Sequence, residues 1–567
     1  METFTSVLEF LTYWLVDQYW FPAFLIGSGI FFTIYLGFPQ IKYFKHGWRI
    51  LSGRYVKEDT KGETTPFQAL TTALSGTVGT GNIGGVALAI FLGGPAAIFW
   101  MWITAFFGMT TKFVEVTLAH KYRETLPDGS ISGGPMYYIE NGLNMKWLAI
   151  LFSVCLLLMC LGTGNMPQIS SIAVVMNDTF HIPKIVTGAV LAVLLWMVII
   201  GGIKRIAQIA SKLVPFMAFW YLVGSFAVII SNYENIIPSL QSIFIHVFTP
   251  AAAVGGFLGA SVAAALTRGV NRGLYSNEAG QGSAPIAHAS SKTENPIEEG
   301  MVSILEPFID TIIICTITGL VILSSGVWTE KFENRFEESS MCYLDGTYSD
   351  TNQEDIKIMQ DYILSCSGPL VYSGTEEISE GLLSNTEITL MHNRSVSENV
   401  IYNNAGEPFN GSIEIVNGKL TTNDITVVGD SLLLGADLTG KAFTRSVFGE
   451  FGQYIVAIGL LLFAFSTAIA WSYYGDRATV HLFGEGWILY YRIIYVGAFF
   501  TAAIIDTKIV WDIATVIGPI ATVPNLLAIL FLRKEIKKLD SEYVCLLYTS
   551  DAADDTPCVD LGGRRII

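Results

Sequence analysis

Charge is scarce in this chain. Asp, Glu, Lys and Arg make up 14% of its 567 residues, where a soluble protein carries about 25%. Cysteine and histidine are scarce too, at 7 each, and nowhere group at metal-ligand spacing. So few cysteines exclude a disulfide-dense scaffold. No nucleophile stands in a recognisable pairing with a base, so neither an enzyme nor a bound cofactor is expected. Basic residues do not cluster with interleaved aromatics, which removes nucleic acid from the expected partners.

What is present is apolar. Hydrophobic residues make up 51% and aromatics 13%, and the mean hydropathy is +0.48. A bilayer span needs about 20 mostly apolar residues. Eleven runs qualify, near 16–38, 67–92, 96–118, 147–172, 184–202, 213–231, 246–270, 302–325, 450–474, 487–505 and 509–532. The lipid bilayer is therefore the first expected partner. The first run is too long for a signal peptide, and no small-residue cleavage site follows it.

Lys and Arg follow the odd-numbered runs: Lys42, Lys45, Arg49, Arg54, Lys57 and Lys61 after the first, Lys121 and Arg123 after the third. Lys204, Arg205 and Lys212 follow the fifth, Arg268 and Arg272 the seventh, Arg477 the ninth, and Arg533, Lys534, Lys537 and Lys538 the eleventh. Even exits are poor in them. Positive residues stay in the cytoplasm, so a multi-pass protein of the cell (plasma or inner) membrane is expected, with its N-terminus outside and its C-terminus inside.

The formal charge of −16 is concentrated in one place. Between Val327 and Val447, 19 Asp/Glu stand against 7 Lys/Arg. The charge pattern puts this segment outside the cytoplasm, and alternating runs such as Ser412–Val416 and Ile425–Val428 predict a small β-rich domain. Its partner is unknown. Cys342 and Cys366 could bridge in an oxidising compartment or stand as free thiols. Asn393-Arg-Ser and Asn410-Gly-Ser are glycosylation sequons only where the source glycosylates. The expected organisation is a membrane part at 1–326, the insertion at 327–447 and a second membrane part at 448–544. Residues 545–567, from Cys545-Leu-Leu-Tyr-Thr-Ser to Gly-Gly-Arg-Arg-Ile-Ile567, resemble the in-frame translation of a transposase-type sequencing adapter. They are expected to be an assembly scar, with the native C-terminus lost after Tyr543.

The most informative stretch is Thr72–Phe91. It is apolar enough for a bilayer, yet Gly76, Gly79, Gly81, Gly84 and Gly85 fall within ten residues. Each glycine weakens a helix by roughly 1 kcal/mol relative to alanine. A helix that unwinds at membrane depth is tolerated only where its backbone is buried in protein or lines a cavity. Such a break points to a solute site. The string also contains Gly79-x-Gly81-x-x-Gly84, but no strand precedes it, so a dinucleotide site is not expected. A second glycine cluster, Gly255, Gly256 and Gly259, lies five runs later. Breaks at corresponding places in two halves mark an inverted-repeat transporter; close helix packing by small residues explains the second cluster equally well.

Several long motifs carry a resemblance. Ala73–Ala87, Gly93–Trp102, Thr111–Ala119, Gly133–Tyr138, Arg272–Pro285 and Phe465–Arg477 resemble the alanine/glycine:cation symporter family, over roughly residues 15 to 540. The acidic insertion is the departure. The resemblance implies an all-α membrane protein of the amino acid–polyamine–organocation type: one peripheral helix plus two inverted five-helix repeats, moving small neutral amino acids such as alanine and glycine with Na⁺. H⁺ stays open as the coupling ion.

The residues themselves suit a zwitterion and a cation. Free N–H groups at a break bind carboxylate, so Thr77, Gly79, Thr80 and Gly81 are expected at the substrate, and free carbonyls of Ser75, Gly76 and Gly79 at Na⁺, with Asn82. Asn165 and Gln168 share a helical face, and the family likeness assigns Gln168 to the substrate. Thr467 and Trp471 are one turn apart, and Trp471 with Phe257 beside Gly256 would close a small pocket. Buried acids in a membrane are functional suspects. Asp310 could serve a cation or a structural hydrogen bond, Glu115 reads as a helix end paired with Lys112, and His288 as a loop residue. Asn277 and Glu278, just past the seventh run, are expected at a cytoplasmic gate. The alternative is a membrane sensor whose acidic domain does the recognising.

Overall fold

The structure is a computed structural model and describes residues 10, 14, 18–53, 60–253, 255–362, 370–422, 424–505 and 507–551. Five of its helices are long and apolar enough to cross a membrane, seven if each of two bent pairs counts as one span. Shorter apolar helices run over Trp20–Tyr35 and Lys184–Ile199. Large apolar side chains stand exposed along the outer helices, among them Val190, Val193 and Met197 on one and Phe216, Phe219 and Ile230 on another. Exposed apolar surface on that scale needs a covering phase, and lipid is the one that fits.

The glycine-rich run breaks where its composition predicts. Helix Pro66–Thr77 starts on a capping box: Thr65 Oγ1 accepts from the Gln68 N–H at 3.2 Å, and Gln68 Oε1 from the Thr65 N–H at 3.0 Å. The helix stops at Val78, whose ψ of 94° is extended. A π-helical turn, Gly81–Gly85, leads into helix Val86–Gly93, and the two halves meet at 56°.

The second glycine cluster behaves differently. No single helix covers 246–270. Helix Ile236–Ile245 ends, 246–261 carries no helix among its described residues, and helix Val262–Asn277 begins with Ser261 Oγ capping the Ala264 N–H at 3.1 Å. Within the gap Ala251 and Ala260 exchange backbone bonds of 2.9 and 3.1 Å. Gly255 and Gly259 hold φ of +57° and +93°, which side chains disfavour. Two corrections follow. Arg268 and Arg272 lie inside this helix rather than beyond a span, so they do not count as a flanking basic pair. The predicted run also stops short of the helix end at Asn277.

The remaining membrane elements include Ala96–Lys121, Lys146–Gly162 continuing past a kink into Met166–Phe180, and Gly202–Ser231. Pro296–Ser325 contains a π-helical stretch at Phe308–Cys315, and Gly452–Phe483 runs unbroken for 32 residues.

Between Ser325 and Gly452 the described residues form two four-stranded sheets and one three-stranded sheet. Strand Gly411–Val416 alternates, with Ile413 and Ile415 buried and Ser412 and Glu414 exposed, as its sequence predicts. Phe336, Tyr343, Tyr402 and Val427 complete a separate small core. Cys342 is disulfide-bonded, while Cys366 lies outside the described residues. Helix Gly435–Thr444 falls within 327–447, yet it buries Leu438, Ala442 and Phe443 in the membrane core. Its Thr439 Oγ1 donates to the Ile83 carbonyl at 3.1 Å. Arg394 donates to the Leu92 carbonyl at 3.1 Å, so the insertion caps the second half of the broken helix. Of the adapter-like segment, 545–551 continue helix Arg533–Asp551, and 552–567 lie outside the described residues.

Candidate functional site

Unwinding at Val78–Thr80 frees backbone groups that the protein then meets with side chains. Asn82 Oδ1 accepts from the Gly79 N–H at 2.9 Å, and Gln168 Oε1 from the Thr80 N–H at 3.4 Å. Thr467 Oγ1 donates to the Val78 carbonyl at 3.3 Å. A Cβ on Gly79 would sit 2.6 Å from Thr467 Oγ1 and 3.2 Å from Gln168 Oε1. Only glycine permits that approach. A Cβ on Gly81 would press on the Tyr275 ring at 3.1 Å. The Thr80 and Tyr275 hydroxyls face one another, but neither completes a well-formed hydrogen bond. Two buried, unsatisfied hydroxyls beside a broken backbone are ready to accept a ligand's polar groups.

Trp471 forms the floor. It is fully buried, and its Nε1 lies 3.3 Å from the Gly76 carbonyl and 3.2 Å from Glu278 Oε1. Gly164 packs so closely that a Cβ there would stand 2.1 Å from the indole.

A second cluster gathers around Asp310. Asn82 Nδ2 donates to Asp310 Oδ1 at 2.6 Å and to its carbonyl at 3.2 Å. Ser276 and Thr311 hydroxyls donate to Oδ2 at 2.6 and 2.7 Å. These donors are all neutral. The carboxylate, the carbonyl and the hydroxyls are hard oxygen donors of the kind alkali and alkaline-earth cations take, and a fully buried carboxylate held only by neutral groups invites a cation.

Several expected residues lie elsewhere. Thr77 Oγ1 turns back onto its own helix, to Ala73 and Leu74 carbonyls at 3.3 and 3.4 Å. Ser75 Oγ binds the Ser466 carbonyl at 2.8 Å, on the Trp471 side, so Ser75 and Gly76 do not join Asn82 and Asp310. Phe257 packs edge-on against Trp328, ring centres 5.1 Å apart, and the Gly256 N–H donates to the Thr329 carbonyl at 2.8 Å. These two residues form the seat of the insertion, not a wall of the break, because the helix starts only at Ser261. Tyr275 and Ser276, four turns on, take their expected place.

Glu278 ends its helix at φ +55°, with Oε1 toward Trp471 and Oε2 accepting from Ser283 Oγ at 2.5 Å. Its carboxylate therefore stands at the floor of the break, against Trp471. Asn277 donates to Thr311 Oγ1 at 3.3 Å, beside the Asp310 cluster. Asn165 donates to the Tyr495 carbonyl at 2.8 Å and leaves Gln168 alone at the break. Lys112 pairs not with Glu115 but with Glu306, at 3.0 Å and fully buried, while Glu115 accepts from Asn525. His288 is a buried helical residue 2.6 Å from Glu299. Tyr275, Ser276 and Thr311 join the site without a sequence signal of their own, although the first two sit in the Arg272–Pro285 motif.

The profile of the sodium:alanine symporter family matches residues 1–347 and 417–553. An uncharacterised transporter of Haemophilus influenzae is 35% identical over 522 residues, spanning 92% of each chain. The sodium/alanine symporter AgcS of Methanococcus maripaludis is 34% identical over 512 residues, 90% of each. The probable sodium/glutamine symporter GlnT of Bacillus subtilis is 40% identical over 304 residues, 54% of this chain and 62% of that protein. With a broken membrane helix, a carboxylate-centred oxygen cluster at the break and matches over nearly its whole length, this chain belongs to the sodium:alanine symporter family.

Proposed function

We propose that the protein carries small neutral amino acids, alanine and glycine first, into the cell together with Na⁺ by alternating access. Membership of a symporter family, with relatives named for alanine and for glutamine, supports amino acid–cation symport in general. The observation that carries the finer reading is the junction of the two clusters at one residue. Asn82 holds the Gly79 N–H through Oδ1 and Asp310 through Nδ2. A cation at Asp310 and a carboxylate at the break would therefore feel one another through a single side chain. Thr80, Gly81, Gln168, Thr467 and Trp471 would bind the substrate, and Asn82 and Asp310 the cation, with Ser276 and Thr311. The fully buried Trp471 beneath the break supports a small substrate.

The eleven-span count, the two inverted five-helix halves, the outward N-terminus and the extracytoplasmic insertion belong to the same proposal. They are supported by the basic-residue pattern outside the seventh span and by the matching motifs. The experiment is uptake of labelled alanine by proteoliposomes under an inward Na⁺ gradient, against an equal K⁺ gradient. Accumulation with Na⁺ alone supports the reading; equal uptake in both removes Na⁺ as the coupling ion, and no uptake in either leaves a sensor.

A further inference from the structure

A cavity of about 1150 Å³ lies away from the break, between the insertion and the ends of the membrane helices. Ligand pockets commonly measure about 300–1,000 Å³, so this one exceeds what a single alanine needs. Its walls come from two sources. The insertion contributes Arg335, Glu337, Glu338 and His392; helices Met166–Phe180, Lys184–Ile199 and Gly435–Thr444 contribute Asp178, Lys184 and Asp437.

Two observations mark it as built for a ligand. His392 is only 2% exposed, its ring stacked on Phe336 with centres 4.0 Å apart and Nδ1 2.7 Å from Ser431 Oγ. Its Nε2 has no hydrogen-bond partner among the described residues. A buried polar atom left unpaired costs about 1–3 kcal/mol, so the cavity's occupant is its natural partner. Burial pushes the ring down to about 3, so it is neutral at physiological pH.

The second observation is a set of charges of both signs. Asp437 is exposed to the cavity and has Asp178 and Glu337 as like-charged neighbours. Against them stand Lys184 and Arg335. Competition from the protein is weak: Arg335 has the Thr426 hydroxyl at 3.4 Å, and Asp178 has Asn177 Nδ2 at 3.1 Å. A simple anion would meet four carboxylates, Asp178, Glu337, Glu338 and Asp437, and a simple cation would leave both bases unanswered. A zwitterion satisfies both.

We propose that this cavity is a second amino-acid site, an antechamber that holds a zwitterionic amino acid by its ammonium group on Asp437, Asp178 and Glu337 and by its carboxylate on Arg335 and Lys184, with His392 Nε2 completing the contacts. The inference rests on the transport reading above. The volume sets its selectivity: leucine fits here but not over Trp471. Position gives it a role, because Asp437 rides on the helix whose Thr439 holds the Ile83 carbonyl in the broken span.

The test is equilibrium binding of labelled alanine to the full-length chain in lipid nanodiscs with Na⁺. Two alanines per chain are expected, and excess leucine should displace one of them. Asp437→Asn with Asp178→Asn should weaken the leucine-sensitive alanine about tenfold, as loss of one charge-assisted bond does. Arg335→Ala, in the soluble insertion, should do the same and guards against misfolding of the double variant. One alanine per wild-type chain, or leucine displacing none, overturns the antechamber while leaving transport standing. No bound alanine at all overturns the transport reading, and the antechamber with it.

Discussion

Asn82 Nδ2 lies 2.6 Å from Asp310 Oδ1, a contact between residues 228 positions apart that joins the broken helix to the π-helical stretch of Pro296–Ser325. The same amide's oxygen caps the Gly79 N–H. One side chain thus ties the proposed cation cluster to the proposed substrate backbone. Asn82→Ala should therefore raise the Na⁺ and alanine concentrations needed for half-maximal uptake together, each by about tenfold or more, the scale of a lost hydrogen bond to a charged group. A change in only one of them would separate the two clusters.

Gly79 and Gly85 make a contrasting pair. A Cβ at Gly79 meets Thr467 Oγ1 at 2.6 Å, while one at Gly85 has only the Thr80 carbonyl, at 4.0 Å. Gly79→Ala should abolish uptake and Gly85→Ala should leave most of it, with both proteins reaching the membrane in similar amounts. Equal activity in the two would show that the break is not the site.

Trp471→Ala should admit larger side chains, because a vacated indole volume beneath the break is the proposed limit on size. The measurement is competition of leucine against labelled alanine, which should strengthen in the variant. The substitution also removes a fully buried aromatic and should lower stability by about 3–5 kcal/mol, so expression at reduced temperature is the sensible condition. An unchanged preference would place the size limit elsewhere.

The Lys112–Glu306 pair is buried on both sides. Removing one partner leaves an uncompensated charge and should destabilise by about 3–5 kcal/mol, whereas replacing both by apolar residues should cost much less. Thermal unfolding of Lys112→Met, Glu306→Leu and the double variant reads this directly. A double variant as unstable as the sum of the singles would argue against the pairing.

His392 gives the insertion a pH dependence. Burial lowers it from 6.5 to about 3, so between those values the unfolded chain binds a proton that the folded one does not. Its contribution is fully present above about pH 6.5 and is lost as pH falls toward 3. The melting midpoint should drop between pH 7.5 and 4.5 by less in His392→Gln than in the wild type. Identical drops would mean that the ring is already protonated or solvated.

The legible parts of the molecule were those set by local composition. Five glycines in ten residues announced the break, and Asn82, Gln168, Thr467 and Trp471 do converge on it. Strand Gly411–Val416 followed from its alternation. The misses share a cause. Gly256 and Phe257 looked like a second break within a helix, but the turn at Gly255 and Gly259 delays the helix to Ser261 and moves Tyr275 and Ser276 inward instead. Lys112 lies three residues from Glu115 and 194 from Glu306, yet pairs with the distant one. His288 gave no local sign of Glu299 as its partner, since that contact depends on how two short helices pack. Tertiary contacts of this kind leave no periodicity to read.

The most direct test of the account is Na⁺-dependent alanine uptake by Asp310→Asn in proteoliposomes, beside the wild type at several Na⁺ concentrations. The account predicts Na⁺-driven accumulation in the wild type, and in the variant an apparent Na⁺ affinity about tenfold weaker or worse, the scale expected when a charged ligand becomes a neutral one. Wild-type Na⁺ dependence in Asp310→Asn would contradict it.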